Sequence, residues 1–198
     1  MTRVVAGALG GRRLEIPRGR AVRPTSDRVR EALFSTLGGR VAGASVLDLY
    51  AGSGALGIEA LSRGAKHATF VERDRAVARV LQTNLEALGL VAEVRVVAAA
   101  RYVEGLAAAP GAPVFDLVLC DPPYRAATAD VVALLVSLTH GGHLADDAMM
   151  VIERARHGGA FVAPTGVLDV ADVRTYGDTV LYYVRSGSVG EQEGGPDA

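Results

Sequence analysis

From residue 45 onward, apolar positions along the chain fall into two alternating kinds of run. Short blocks rich in aliphatic and β-branched residues recur: V-L-D-L-Y (46–50), A-T-F-V-E (68–72), V-R-V-V (94–97), F-D-L-V-L-C (115–120) and A-M-M-V-I-E (148–153). Each has strand length. Between them lie longer segments whose apolar residues have helical spacing: A-L-G-I-E-A-L-S-R (55–63), A-V-A-R-V-L-Q-T-N-L-E-A-L (76–88), a weaker stretch at Tyr102–Ala107, and D-V-V-A-L-L-V-S-L (130–138). Gly64 and Gly89 stop the first two. Strands alternating with helices predict βαβ crossovers and a parallel sheet covered on both faces. The fold class expected is therefore α/β, a Rossmann-like doubly wound sheet with its five parallel strands in the order 3-2-1-4-5. The pattern changes near the end. V-L-D-V-A-D-V-R-T-Y (167–176) and T-V-L-Y-Y-V-R (179–185) flank Gly177-Asp178 and read as an antiparallel C-terminal hairpin.

Before residue 45 two further elements are expected. Arg3–Ala6 and Arg12–Ile16 flank G-A-L-G-G and read as a β-hairpin. A helix follows, capped by Thr25 or Ser26, with Asp27 in its first turn, an apolar stripe of Val29, Ala32, Leu33 and Leu37, and Gly38 as its stop. Three regions result: a basic N-terminal hairpin over 1–23, a main domain over 24–186, and a polar, glycine-rich tail over 187–198 expected to be disordered.

Composition narrows the class. A chain of 198 residues with 49% hydrophobic residues suits one globular domain. No apolar run is long enough for a membrane span, and arginines occupy the place of a signal peptide's apolar region, so a cytoplasmic protein is expected. A monomer is expected. Cys120 is the single cysteine, which excludes an internal disulfide and a multi-cysteine zinc site. His67, His140, His143 and His157 are too scattered for a zinc site, and no metal is expected. The net charge of −1 hides an asymmetry. Residues 1–40 hold nine arginines against Glu15, Asp27 and Glu31, a local +6 that leaves −7 for the rest. A basic segment on an acidic body points to a polyanionic partner; the alternative is a solvated face that happens to use arginine.

The chemistry is concentrated at two places. Gly52, Gly54 and Gly57 form G-x-G-x-x-G between the first strand and its helix. Glycines there allow a tight turn and close backbone approach to a ligand. Glu72 ends the next strand, where an acid binds ribose hydroxyls, and Arg73 follows it. An adenosine-type cofactor follows. A dinucleotide is the rival, which would make the protein an NAD(P) oxidoreductase. Asp48 speaks against it, because a carboxylate beside the loop repels a pyrophosphate but helps fix a cationic, amine-bearing ligand such as S-adenosylmethionine. The loop residues assigned to this ligand are Tyr50, Ala51, Gly52, Ser53 and Gly54.

The second place is Asp121-Pro122-Pro123-Tyr124, where the fourth strand ends. Two prolines stop a strand, and a turn is the bland reading. The fuller reading is chemical. The strand order puts Asp121 beside the glycine loop. An exocyclic amino group of a nucleobase is a poor nucleophile, because its lone pair is delocalised into the ring. The Asp121 carboxylate and the Pro122 carbonyl can bind its two N–H groups and favour a more tetrahedral nitrogen. Pro123 leaves the preceding carbonyl without a ladder bond, and Tyr124 offers a ring on which the base stacks. Cys120, just before, reads as a buried core thiol.

D-P-P-Y resembles the signature of amino-methyltransferases acting on adenine, cytosine or guanine. G-G-R-R-L, R-P-T-S-D-R-V-R-E-A-L-F and L-D-L-Y-A-G-S-G-A-L-G-I-E-A-L-S-R-G-A together resemble the bacterial 16S rRNA (guanine(966)-N2)-methyltransferase family, from the N-terminal hairpin to about Arg185. The resemblance implies a class I methyltransferase that uses S-adenosylmethionine, releases S-adenosylhomocysteine and methylates a guanine N2 of 16S rRNA, free or in the assembled small subunit. It implies Asp121 to Tyr124 as catalytic residues. One departure stands out. Relatives often place an acid or amide after the third strand to hold adenine, whereas this chain has Ala100 and Arg101. Arg12, Arg13, Arg18, Arg20, Arg23, Arg28 and Arg125 are the candidate RNA contacts. A DNA amino-methyltransferase acting on adenine N6 or cytosine N4 is the alternative, although it needs a target-recognition insertion that this chain lacks. A non-catalytic nucleic-acid-binding module is a further alternative, and the intact D-P-P-Y argues against it.

Overall fold

The computed structural model describes residues 2–17, 26–109, 111–159 and 161–187. Two short strands come first, β1 (Thr2–Arg3) and β2 (Arg13–Leu14), then helix α1 (Asp27–Leu37). The alternating part follows as β3 (Ser45–Asp48), α2 (Ala55–Ser62), β4 (His67–Val71), α3 (Arg75–Leu88), β5 (Glu93–Arg95), α4 (Ala99–Ala107), β6 (Phe115–Cys120), α5 (Thr128–His140) and β7 (Leu144–Ala155). The chain closes with β8 (Leu168–Tyr176) and β9 (Thr179–Ser186). The expected tail lies outside the described residues from 188 on, as do residues 18–25 between the N-terminal strands and α1.

The main sheet runs β5-β4-β3-β6-β7-β9-β8. Strands β3 to β7 pair in parallel, in the order the sequence pattern requires. The expected antiparallel hairpin is present, but its order along the sheet is not sequential. The last strand, β9, inserts between β7 and β8, antiparallel to both. The central strands are buried on both sides, because helices cover both faces. Val46, Phe70, Leu117 and Met149 pack towards α1, α2 and α3. Leu47, Val118, Met150 and Ile152 point the other way, towards α4 and α5. That alternation of neighbours is the strand period of two, with both sides apolar.

Helix ends follow local chemistry. Ser26, not Thr25, caps α1, accepting from the Val29 N–H at 3.3 Å. Asp74 caps α3 on Ala76 and Val77, and Gly89 ends it in the left-handed region. Helix α4 starts at Ala99, three residues before the apolar pattern becomes visible. Alanine has the highest helix propensity but adds little to a periodic signal.

The N-terminal hairpin pairs Thr2 with Leu14 and Arg3 with Arg13, fewer residues than the pattern suggested. It is part of the domain's core. Val4 and Leu14 pack with Leu33, Phe34 and Ile58. The Glu59 carboxylate, fully buried in α2, accepts from the backbone N–H groups of Val5 at 2.6 Å and Ala6 at 3.0 Å. Gly7 sits at φ +84, and a Cβ there would meet the Ser62 carbonyl oxygen at 2.0 Å. Only glycine permits this approach.

Candidate active site

Strands β3 and β6 are direct neighbours, with Asp48 opposite Leu119. Each strand therefore releases its chain at the same edge of the sheet. The loop 49–54 leaves β3 there, and Asp121 to Tyr124 leave β6 there. This edge, at the carboxyl ends of the strands, is where doubly wound folds bind ligands.

The glycine loop is held from three sides. The Gly54 N–H donates to the Ala51 carbonyl at 2.7 Å, closing a tight turn. The Gly52 N–H donates to the Glu72 carboxylate at 3.1 Å, and the other Glu72 oxygen accepts from the Asp74 N–H at 2.8 Å. The Ser53 carbonyl accepts from the Asn84 side chain at 2.9 Å. The three glycines have separate reasons. Gly52 lies at φ +55, and a Cβ there would meet nothing nearer than the Tyr50 carbonyl oxygen at 4.0 Å. Gly54 lies at φ +87, and a Cβ there would come within 2.3 Å of Leu81 Cδ1. Gly57 lies against the Phe70 ring, which a Cβ would meet at 2.3 Å. Only the first of these has room for a Cβ. The other two let α2 settle on β4 and α3.

Asp48 is 1% exposed, underneath the loop. One of its oxygens accepts from the Gly57 N–H at 3.0 Å; the other has no hydrogen-bond partner among the described residues. Burial raises its pKa from 3.8 to about 7, offset in part by the Gly57 bond and reinforced by the Glu72 charge. Because the folded state then binds a proton that the unfolded state releases, its contribution to stability is full below about pH 4. It is lost as pH rises through about 7. Asp48→Asn keeps an acceptor for Gly57 and removes the titration. Thermal unfolding followed from pH 5 to 8 is expected to show a fall in wild-type stability, on the order of a few kcal/mol at most, that the variant lacks. Parallel curves for the two proteins would contradict the assignment.

On the β6 side, Asp121 is half-buried, Pro122 buried, and Tyr124 56% exposed. The Ala126 N–H donates to the Pro123 carbonyl at 2.7 Å, so residues 123–126 form a closed turn with Tyr124 and Arg125 at its centre. Cys120 is buried, and desolvation pushes its thiol pKa far up, which keeps it a protonated core side chain. Tyr50 is raised to about 12, first by desolvation. No group of three or more His, Cys, Asp or Glu residues that could hold a metal occurs among the described residues.

The remaining sequence candidates are spread out. Arg73 is exposed after β4, and Ala100 and Arg101 are exposed in the first turn of α4, with Arg101 3.9 Å from Glu104. Arg28 is exposed on α1 and Arg125 beside Tyr124. Arg12 donates to the Ala87 carbonyl at 3.1 Å, at the C-terminal end of α3. That end lies at the sheet edge opposite the glycine loop. The backbone after β1 is held to α2 by Glu59 and Ser62, while Glu15, just after β2, bonds Asn84 beside the glycine loop. Arg18, Arg20 and Arg23 lie outside the described residues.

Three residues that the sequence did not single out support the site. Asn84, in α3, joins the Ser53 carbonyl to both backbone groups of Glu15. Glu59 anchors the hairpin. Arg154, near the end of β7, holds the turn after Asp121. Each is a polar residue inside an element whose sequence pattern gave no sign of it, and only the missing helical or strand alternation at buried positions could have flagged them.

The sequence matches the family described as Conserved hypothetical protein 95 over residues 2–185. It is 40% identical over 162 residues to ribosomal RNA small subunit methyltransferase D of Escherichia coli (strain K12), covering 82% of this chain and 79% of that one. It is 38% identical over 151 residues to the protein of the same name from Haemophilus influenzae, covering 76% and 77%. A solved structure from Escherichia coli, yhhF, superposes with a TM-score of 0.80 at 34% identity, over 94% of this chain and 98% of that one. TrmN from Thermus thermophilus shares the fold at a TM-score of 0.63 and 20% identity, over 84% of this chain and 51% of that one. The fold is that of the class I methyltransferases, and the chain belongs to the Conserved hypothetical protein 95 family together with ribosomal RNA small subunit methyltransferase D.

Proposed function

We propose that this protein transfers a methyl group from S-adenosylmethionine to the exocyclic N2 of a guanine in 16S rRNA, acting in the cytoplasm on free rRNA or on the small subunit. The observation that carries the reading is the placement of two motifs at one edge of the sheet, the glycine loop on β3 and Asp121–Tyr124 on the adjacent β6. The relatives named rRNA small subunit methyltransferase favour RNA over DNA as the substrate.

The residues fit such a cofactor. Glu72 uses one lone pair of each oxygen on backbone N–H groups, leaving others for ribose hydroxyls. Asp48, with a buried oxygen lacking a partner among the described residues and a pKa raised to about 7, is protonated in part near neutral pH, and a cationic amine bound above the loop would favour its ionised form. When bound, S-adenosylmethionine supplies the methyl group and leaves as S-adenosylhomocysteine. The chain's own part is positioning. Asp121 and the Pro122 carbonyl accept the two amine N–H groups, which turns the nitrogen lone pair away from the base. Tyr124 is exposed enough for a base to stack on it. The base must be unpaired or flipped out to reach the site. The amine proton departs to solvent after transfer.

Transfer of labelled methyl to unmodified 16S rRNA or small subunits, followed by nucleoside analysis, tests the reading. N2-methylguanosine is expected; N6-methyladenosine would overturn it. Glu72→Ala is expected to weaken S-adenosylmethionine binding by about 1–3 kcal/mol, because hydroxyls and the Gly52 N–H lose a charged acceptor. Calorimetric titration measures this, and unchanged affinity would remove Glu72 from the site.

The basic N-terminal segment supplies charge for RNA. Replacing Arg13, Arg18, Arg20 and Arg23 with glutamine is expected to raise KM for RNA. It should also flatten the salt dependence by up to about one log–log unit per lost contact. Arg12→Gln alone is expected to flatten that slope less than the four-residue variant does, because one Nη of its guanidinium is already held on the Ala87 carbonyl. Salt titrations of RNA affinity for the two variants separate these outcomes.

A further inference from the structure

Arg154 is 4% exposed, on β7, two residues beyond the Ile152 that pairs with Cys120. One Nη2 donates to the Ala126 carbonyl at 2.8 Å and to Thr128 Oγ1 at 3.2 Å. Its Nε has no hydrogen-bond partner among the described residues. The charge also lies close enough to Tyr50 and Cys120 to oppose the upward pKa shift that burial gives both. Packing alone does not account for this residue. A buried guanidinium with an unbonded nitrogen costs free energy that an apolar side chain of similar length avoids. It also sits at the N-terminus of α5, where the helix dipole disfavours a cation and no side chain caps the helix.

What Arg154 does is complete a chain of bonds. It fixes the Ala126 carbonyl; the Ala126 N–H fixes the Pro123 carbonyl; and the turn so closed presents Tyr124 and Arg125. We propose that Arg154 is a positioning residue for methyl transfer, holding the Pro123–Ala126 turn so that Asp121 and Tyr124 meet the target base in a single geometry. The inference rests on the methyltransferase reading above and assigns to β7 a role in catalysis that neither motif contains.

Arg154→Met and Arg154→Lys test it, with single-turnover methyl transfer to 16S rRNA or small subunits read beside calorimetric titration of S-adenosylmethionine. Misplacing a reacting group by about an ångström costs about a hundredfold. The methionine variant is expected to lose about 10- to 100-fold in the rate of transfer while its affinity for S-adenosylmethionine stays within about twofold. The lysine variant, which keeps a donor for the Ala126 carbonyl, is expected to recover part of that loss. Should the methionine variant fail to fold, Arg154→Gln replaces it with the same expected split. The proposal is overturned by a transfer rate within threefold of wild type, by a loss of cofactor affinity equal to the loss of rate, or by a lysine variant no better than the neutral one. Wild-type protein with no transfer to either RNA substrate would overturn the functional reading itself, a separate result from an active wild type with an equally active variant.

Discussion

Asp121→Ala is expected to reduce methyl transfer by at least about 10²–10³-fold, the scale on which removing one preorganised hydrogen-bonding group acts. Affinity for S-adenosylmethionine is expected to remain within about threefold. The separation follows from the sheet. Asp121 stands just past the end of β6, half-buried, while the residues proposed to contact the cofactor, Glu72 and Gly52, follow the ends of β4 and β3 and bond each other. On the proposed reading, removing the Asp121 carboxylate would take an acceptor from the reacting amine and leave those contacts in place. Single-turnover rates with saturating cofactor, measured beside a calorimetric titration, give both numbers. A variant that keeps near-normal turnover would remove Asp121 from the catalytic residues.

Gly54→Val is expected to destabilise the whole protein by more than about 3 kcal/mol, beyond any effect on ligand binding. Two costs add. Gly54 has φ +87, a conformation that a β-branched residue reaches only with strain. Its Cβ would also lie 2.3 Å from Leu81 Cδ1 and 3.0 Å from Ile58 Cδ1, both in fully buried side chains. The sequence motif suggests that a side chain at this position would invade the cofactor's space. In the structure the obstruction is the core between α2 and α3. Chemical denaturation without any ligand distinguishes the two accounts. A variant of wild-type stability that binds cofactor poorly would restore the first.

The two motifs were legible because each is local: a few consecutive residues set the turn that ends the strand. The alternating runs gave the parallel strand order for the same reason, since each crossover follows from its neighbours. What was hidden depends on contacts between distant residues. Gly177-Asp178 marks a hairpin, but nothing in β8 or β9 says which strand joins β7. Glu59, in A-L-G-I-E-A-L, looks like a solvent-facing helix residue until the hairpin's N–H groups are found on it. The N-terminal arginines illustrate the same limit. Their charge was plain, while the position of Arg12 at the far end of α3 depends on how β1 and β2 dock. Arg154 follows a strand and reads as its exposed end, because the turn it holds lies 28 residues away.

The insertion of β9 between β7 and β8 has a consequence for biosynthesis. β7 gains its second neighbour only from residues 179–186, near the end of the chain. Until β9 is added, β7 stands as an open edge with unpaired N–H and C=O groups beside the Pro123–Ala126 turn. β8 is translated first but must wait for β9, since it pairs with nothing else in the sheet. The sheet therefore closes at this side only when residues 179–186 are present, and a chain truncated at residue 178 leaves the strand that carries Arg154 as an open edge. Such truncated chains are expected to aggregate or to be held by chaperones, whereas a chain that reaches residue 186 carries both β8 and β9 and can complete the sheet.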